Sequence, residues 1–307
     1  MIWSDYSKLA EMTQTPEAID RSVVYLQEKM RLFLKKNETV LILFPKMENA
    51  ASRILERAIL ACDCIPLWIG EDRRWMTILK TAFTTRCSCI VGPPLLLLGL
   101  SKLAKYMETP LFVTNVLMAG YPSVPWLVEG VRKNLDCMAW GCFDPWDGTV
   151  ISGFTCRQLD GVHIRTAEYG VEIEDEDGTP VAAGEIGRVV LYPNADPKLR
   201  LPVGDRGRLE TVSCPCGNPE PKLVNMDIIN QGNEELSILG ESLQYWSSVL
   251  DCRLERTEMG MELELVVFPG EKLPKLPTVA RQIIRPFDPE KDAPFAHQRV
   301  LRKRFKM

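Results

Sequence analysis

Long apolar runs are absent from this 307-residue chain. The longest, Pro93 to Leu100, is far too short to cross a bilayer as a helix, so no membrane-spanning segment is expected. The first residues, Met1-Ile2-Trp3-Ser4-Asp5, lack the basic and apolar regions of a secretion signal, which points to a cytoplasmic protein. An excess of charge is missing too. The net charge is -4, so no global field favours nucleic acid or a membrane surface, and neither is expected as a partner. Internal repeats and low-complexity segments are also absent. Histidine is scarce, with two in the whole chain, whereas cysteine is plentiful at ten. In a reducing compartment those ten read as thiols or metal ligands rather than as a disulfide framework.

Between residues 39 and 143, short β-branched or apolar runs alternate with longer amphipathic ones. The expected strands are Val40–Phe44, Ile65–Ile69, Cys87–Val91, Leu111–Val113 and Cys137–Trp140, with helices near 47–61, 72–84, 94–107 and 123–134. This alternation predicts an α/β unit over residues 1–150, a largely parallel sheet with helices on both faces. After residue 150 the texture changes to strands and turns, with Val171–Ile173 and Arg188–Leu191 as strands around Asp177-Gly178, which predicts a β-rich subdomain over 151–217. A small α+β C-terminal domain follows over 218–307. Its expected elements are a helix, Glu235 to Leu250, and a strand, Met261 to Phe268.

Cys156, Cys214 and Cys216 flank His163 in the sequence. Three thiolates and one imidazole complete a closed tetrahedral shell for zinc, of the structural type because no position is left open for water. Free buried thiols are the alternative reading. Two further pairs, Cys62 with Cys64 and Cys87 with Cys89, lie near expected strand starts. Residues two apart on a strand share a face, so each pair is expected to enter the core together. The basic stretch Arg299 to Lys306 suits either a phosphate contact or a solvated tail.

From Asp160 to Leu223 a set of short motifs appears in a fixed order. These are Asp160-Gly161-Val162-His163-Ile164, Val171-Glu172-Ile173-Glu174-Asp175, Gly184-Glu185-Ile186-Gly187-Arg188, Gly204-Asp205 and Cys214-Pro215-Cys216-Gly217. In this order they resemble the phenylacetate-CoA ligase family of adenylate-forming (AMP-binding, acyl-CoA synthetase) enzymes, which carry similar cysteines and a histidine. The resemblance is dense over about 120–225, thinner over 13–118, and extends to 235–276 as the start of the family's small mobile C-terminal domain. It implies a fold of the adenylate-forming class and a history of activating a carboxylic acid with ATP and passing the acyl group to coenzyme A.

By the same resemblance, Asp205 would accept hydrogen bonds from the ribose hydroxyls of ATP or AMP, a task for an acceptor-only group with two oxygens. A turn aspartate capping backbone amides is the other reading of Asp205. Gly120 and Tyr121 fall beside the adenine, where the ring would stack on the base or else fill the core at a strand end. Trp146 and Thr149 match the family's aromatic-Gly-x-Thr-Glu motif, with Thr149 toward the phosphates. Lys303, with Lys306 behind it, stands where a catalytic lysine is expected.

Several family features are missing. The phosphate loop would fall within Met1 to Met12, and that stretch has no glycine to let backbone amides approach a pyrophosphate. Val150 occupies the place of the magnesium-binding glutamate, and a methyl group does not ligate a hard cation, although Asp144 and Asp147 lie nearby in sequence. Leu223-Val224-Asn225-Met226-Asp227 lacks the hinge arginine. The expected protein is therefore a divergent, catalytically impaired acyl- or aryl-CoA ligase relative that holds a nucleotide, acyl group or coenzyme A fragment, or assists a partner protein. An active acid-CoA ligase with altered motifs and a zinc-containing interaction module are the two alternatives.

Overall fold

The computed structural model describes residues 8–9, 11–70, 72–119, 125–143, 151–228, 247–257, 260–269 and 281–295. Five strands lie parallel in the order β2-β1-β3-β4-β5: β1 (Thr39–Ile42), β2 (Ile65–Trp68), β3 (Cys89–Gly92), β4 (Asn115–Met118) and β5 (Met138–Phe143). Helix α1 (Pro16–Met30) precedes β1, and α2 (Ala50–Ala61), α3 (Trp75–Thr84), α4 (Pro94–Tyr106) and α5 (Pro125–Leu135) are the crossovers. Side chains alternate across a strand, and here both faces are covered. Leu41, Ile90, Val116 and Ala139 enter one apolar cluster with α3, α4 and α5, while Val40, Ile42, Cys89, Val91, Leu117 and Trp140 enter a second with α1 and α2.

Local signals set the helix ends. Thr15 caps α1 by accepting the Ala18 N–H at 3.2 Å, Pro16 opens the helix, and Glu17 lies at its positive end. The sequence pattern predicts no element there, although these signals are present. Asn49 caps α2 through the Ser52 N–H at 2.9 Å. Asn49→Ala is expected to cost about 1 kcal/mol, seen as a lower denaturant midpoint at unchanged slope.

The fourth strand is displaced from its expected place. Leu111–Val113 is irregular, with Phe112 exposed, and β4 starts at Asn115, where pairing with Cys89 of β3 begins. Asn115 is buried because its Oδ1 accepts the Trp140 indole N–H at 3.0 Å, so a polar residue opens a core strand. The cysteine pairs divide as well. Cys62 and Cys64 join one cluster as expected, but Cys87 and Cys89 join opposite ones, since β3 starts only at Cys89 and strand alternation does not extend back to Cys87.

Beyond β5 the sheet continues through antiparallel pairs in the order β6-β7-β11-β10-β9-β8, giving eleven strands among the described residues. These are β6 (Gly153–Thr155), β7 (Val162–Ile164), β8 (Tyr169–Glu174), β9 (Gly187–Pro193), β10 (Leu201–Leu209) and β11 (Lys222–Ile228). A separate sheet contains β12 (Val249–Thr257), β13 (Gly260–Val267) and β14 (Arg281–Pro286). The strand expected at Met261–Phe268 is β13. The helix expected at Glu235–Leu250 falls outside the described residues through 246, and its last two positions open β12 instead, with Leu250 buried in the α4 cluster.

The longest apolar run of the chain forms the first half of α4. Two covers explain why it is apolar all round: the parallel sheet on one side, and on the other the small sheet, whose Leu250, Val266 and Phe268, with Phe287 just after it, join the same cluster. Leu96, Leu97, Leu98, Leu100 and Leu103 are at most 4% exposed, a gross burial on the order of 10 kcal/mol before chain entropy is subtracted. Among the described residues no helix is long and apolar enough to cross a membrane.

A candidate metal centre and ligand crevice

The antiparallel half of the sheet gathers four soft ligands. His163 sits in the middle of β7, between Phe154 of β6 and Lys222 of β11. Cys156 follows β6 directly, and Cys214 and Cys216 lie in the loop from β10 to β11. The β6–β7 turn is tight. Gly161 has φ +141°, and a Cβ there would sit 2.5 Å from the Leu223 carbonyl oxygen, so glycine is required for β7 to reach β11. Below it Lys222 pairs with Asp160 at 3.0 Å. The Cys-Pro-Cys-Gly turn closes through the Gly217 N–H to the Cys214 carbonyl at 3.0 Å, with Gly217 at φ +80°.

The ligand atoms of Cys156, His163, Cys214 and Cys216 all lie within 4.8 Å of one another. Cys156 Sγ is 3.7 Å from Cys214 Sγ, and Cys216 Sγ is 3.3 Å from His163 Nε2. Sulfurs about 2.3 Å from a tetrahedral zinc stand about 3.8 Å apart, so the observed spacings suit that ion. The second ring nitrogen, His163 Nδ1, lies 2.8 Å from the Glu220 carbonyl. A proton on Nδ1 donated to that carbonyl leaves Nε2 free to ligate. The Asn218 N–H donates to Cys216 Sγ at 3.4 Å, a further stabiliser of a thiolate.

The thiols differ in their electrostatics. Burial pushes Cys156 up to about 12. Burial also works to raise Cys214, but the Cys216 backbone N–H, His163 and the two neighbouring thiols outweigh it and bring it to about 7. Three sulfurs and one imidazole, three of the four buried and with backbone donors already in place, fit a structural zinc ion.

A second feature follows from strand order. β1 leads outward to β2 through α2 on one face, while β2 returns to β3 through α3 on the other, so the winding reverses between β1 and β3. Open α/β sheets bind ligands at such a reversal, outside the carboxyl ends of the strands. Here the reversal falls between the β1–α2 loop (Leu43 to Asn49) and Gly92-Pro93. Gly92 permits the approach, since a Cβ there would lie 3.1 Å from Leu43 Cβ. Lys46 pairs with Glu56 at 2.6 Å and stands 5.7 Å over the Trp68 ring, whose N–H donates to the same Glu56. The sequence pattern does not single out these residues, because strand order is not written in local periodicity.

Of the residues implied by the family resemblance, Asp205 is on β10 with its backbone opposite Ile228 of β11. Gly204 to Gly207 is strand, not the turn of the capping alternative. In sequence Gly120 and Tyr121 come two and three residues after the end of β4, and Trp146 and Thr149 three and six residues after the end of β5. These four and Lys303 lie outside the described residues.

A mostly parallel sheet flanked by helices, an antiparallel extension and a separate small sheet make up the fold of adenylate-forming enzymes. Among solved structures the chain is similar to a 2-hydroxyisobutyryl-CoA ligase in its postadenylation state with R3-HIB-AMP, at TM-score 0.64 and 13% identity, covering 89% of this chain and 67% of that one. It is also similar to the amide bond synthetase McbA of Marinactinospora thermotolerans (TM-score 0.55, 15% identity, 86% of this chain and 61% of that one). A benzoate CoA ligase of Burkholderia xenovorans LB400 gives TM-score 0.56 at 12% identity, with 86% and 62% covered. The chain therefore spans less than two thirds of the length of the latter two. No family model and no curated protein matches it.

Proposed function

We propose that this protein is a divergent relative of AMP-forming acyl- and aryl-CoA ligases, of the phenylacetate-CoA ligase branch, that holds an adenine nucleotide or its acyl derivative without efficient ligase turnover. The observation that carries this reading is the fold itself, shared with a CoA ligase whose solved structure holds an acyl-AMP. In the proposal the ligand lies outside the carboxyl ends of β1, β3 and β4, with Tyr121 and Gly120 at the base and Asp205 at the ribose. Thr149 and Trp146 flank the phosphate side, and Lys303 is the candidate for contact with the adenylate. In this reading turnover is curtailed because Val150 supplies no oxygen to magnesium. A zinc ion on Cys156, His163, Cys214 and Cys216 would pin the β6–β7 turn to the loop after β10, the strand that carries Asp205.

Calorimetry with AMP, ATP and coenzyme A tests this directly. AMP is expected to bind, and Asp205→Ala to weaken it roughly 10- to 100-fold, the loss of hydrogen bonds to a charged acceptor. Failure of both nucleotides to bind at millimolar concentration overturns the reading. Robust pyrophosphate release dependent on an aryl or fatty acid would show a working ligase instead.

A further inference from the structure

We propose that Arg206 on β10 anchors an anion site that takes a phosphate group, on the face of the antiparallel sheet turned away from its core. Inorganic phosphate alone is expected to occupy it.

Strand alternation sets the face. Val189 and Leu191 of β9 enter the core cluster of the antiparallel half, so Arg188 between β8 and β10 points the other way, and so does Arg206 directly opposite it. Glu172 and Glu174 of β8 lie on that same outer face, opposite Val190 and Arg188, and Arg208 joins them two residues beyond Arg206. At Arg206 the strand is out of step with both neighbours. Pro202 faces Val190 while Arg206 faces Arg188 on one side, and on the other Arg206 faces Asp227 while Arg208 faces Val224. Irregularities of this kind re-aim side chains and gather near functional sites.

The ion pairs of this face leave one cation over. Arg200 donates to Glu172 at 2.7 Å and also to Glu174, Arg188 stands 3.7 Å from Glu174, and Arg208 donates to Glu210 at 3.3 Å. Four guanidinium groups thus share three carboxylates. Arg206 is the one without a share: it has no ion pair among the described residues, and its Nε–H is shielded from solvent with no acceptor. A covered donor left unmet weakens the folded chain, and a ligand oxygen is the acceptor that completes it.

The donor chemistry selects the ligand. A guanidinium presents N–H groups in a rigid fork that fits the oxygens of phosphate or carboxylate. The other guanidinium groups of the face add positive charge around Arg206, which favours a doubly charged phosphate over a singly charged carboxylate. The phosphate is either a free one or that of a nucleotide held by Asp205, the preceding residue; the chemistry is the same.

The Nε–Hε resonance of Arg206 in isotope-labelled protein tests the proposal, and it is identified as the signal lost in Arg206→Lys. Titration with inorganic phosphate is expected to move it saturably, and sodium chloride of equal ionic strength is expected to move it far less. Lysine keeps the charge but not the fork, so phosphate affinity measured by calorimetry is expected to fall roughly tenfold in Arg206→Lys, and phosphate is expected to raise the thermal midpoint of the wild type more than that of the variant. Should Arg206→Lys fail to fold, Arg206→Met serves both purposes. A shift caused by AMP that disappears in Asp205→Ala assigns the phosphate to a nucleotide at Asp205, and one that persists assigns a separate phosphate site. A resonance unmoved by millimolar phosphate, or moved as far by acetate, overturns the proposal, whereas the nucleotide reading stands or falls on AMP calorimetry.

Discussion

Removing metal from the purified protein is expected to lower its thermal midpoint by more than about 10 °C, with about one equivalent of zinc recovered in the chelator. The size follows from the site. A structural zinc ion that binds only the folded chain stabilises it by linkage, and apparent binding energies of roughly 10–16 kcal/mol are typical of Cys and His sets. A loss of even about 4 kcal/mol shifts the midpoint of a large domain by about 8–16 °C. The mechanical reason is that a bound ion would tie Cys156, His163 and the two loop cysteines across β6, β7 and the start of β11, where strand pairing is short: β7 pairs in register with β11 at Lys222 with His163 and Leu223 with Val162. Cys214→Ser is expected to reproduce most of the effect. A midpoint unchanged by chelation, with no zinc released, would identify the four groups as free thiols and a core histidine.

Lys102→Met is expected to change how stability depends on alkaline pH, shifting the difference between variant and wild type by about 3 kcal/mol between pH 7 and 10.5. Burial holds the Lys102 ammonium down at about 8 from its ordinary 10.5, with Cys252 and Asp251 pulling weakly the other way. Below pH 8 both folded and unfolded chains carry the proton, and the folded state bears the full cost of a desolvated charge, roughly 1.36 kcal/mol for each tenfold loss of proton affinity. Between about 8 and 10.5 the unfolded chain holds a proton that the folded one has released, so this group makes stability rise with pH. Methionine removes that rise. It also leaves the Val249 carbonyl without the lysine donor, a cost of about 1–3 kcal/mol that nearly cancels the gain at pH 7 and is exposed in full at pH 10.5. Buried thiols act in the opposite sense: Cys62 and Cys87 are raised to about 11 and Cys137 to about 12, so the unfolded chain loses their protons first. They are common to both proteins and drop out of the comparison. Parallel denaturant titrations at the two pH values read the difference, and equal pH profiles would show that Lys102 is not buried as a charge.

The parallel half of the fold was legible because its inner strands are covered on both faces, which fills nearly every position with an apolar or β-branched residue, as in Val40, Leu41 and Ile42. Where a strand starts with a satisfied polar group the same reading slips. Asn115 looks like loop in sequence, and only its bond to Trp140 makes it core. The division of Cys87 from Cys89 has a similar origin, since spacing of two means a shared face only once both residues are inside the strand. The cluster of Cys156, His163, Cys214 and Cys216 was legible because its two residue types, cysteine and histidine, are chemically distinctive even when separated in sequence. Its supporting shell was not, because a carbonyl such as that of Glu220 carries no signature of the ring it faces. Strand order was equally hidden, and with it the reversal between β1 and β3.

Helix α4 has a consequence for how the chain is made. Synthesis proceeds from the N-terminus, so the leucine-rich stretch from Pro94 emerges long before β12, β13 and Phe287, which cover its outer side. Until those strands arrive, an apolar helix face of the kind that attracts chaperones or like chains stays open to water. The closing strands thus decide when the nascent protein ceases to be sticky, and a ribosome stalled between α4 and β12 would hold a partly folded and aggregation-prone intermediate.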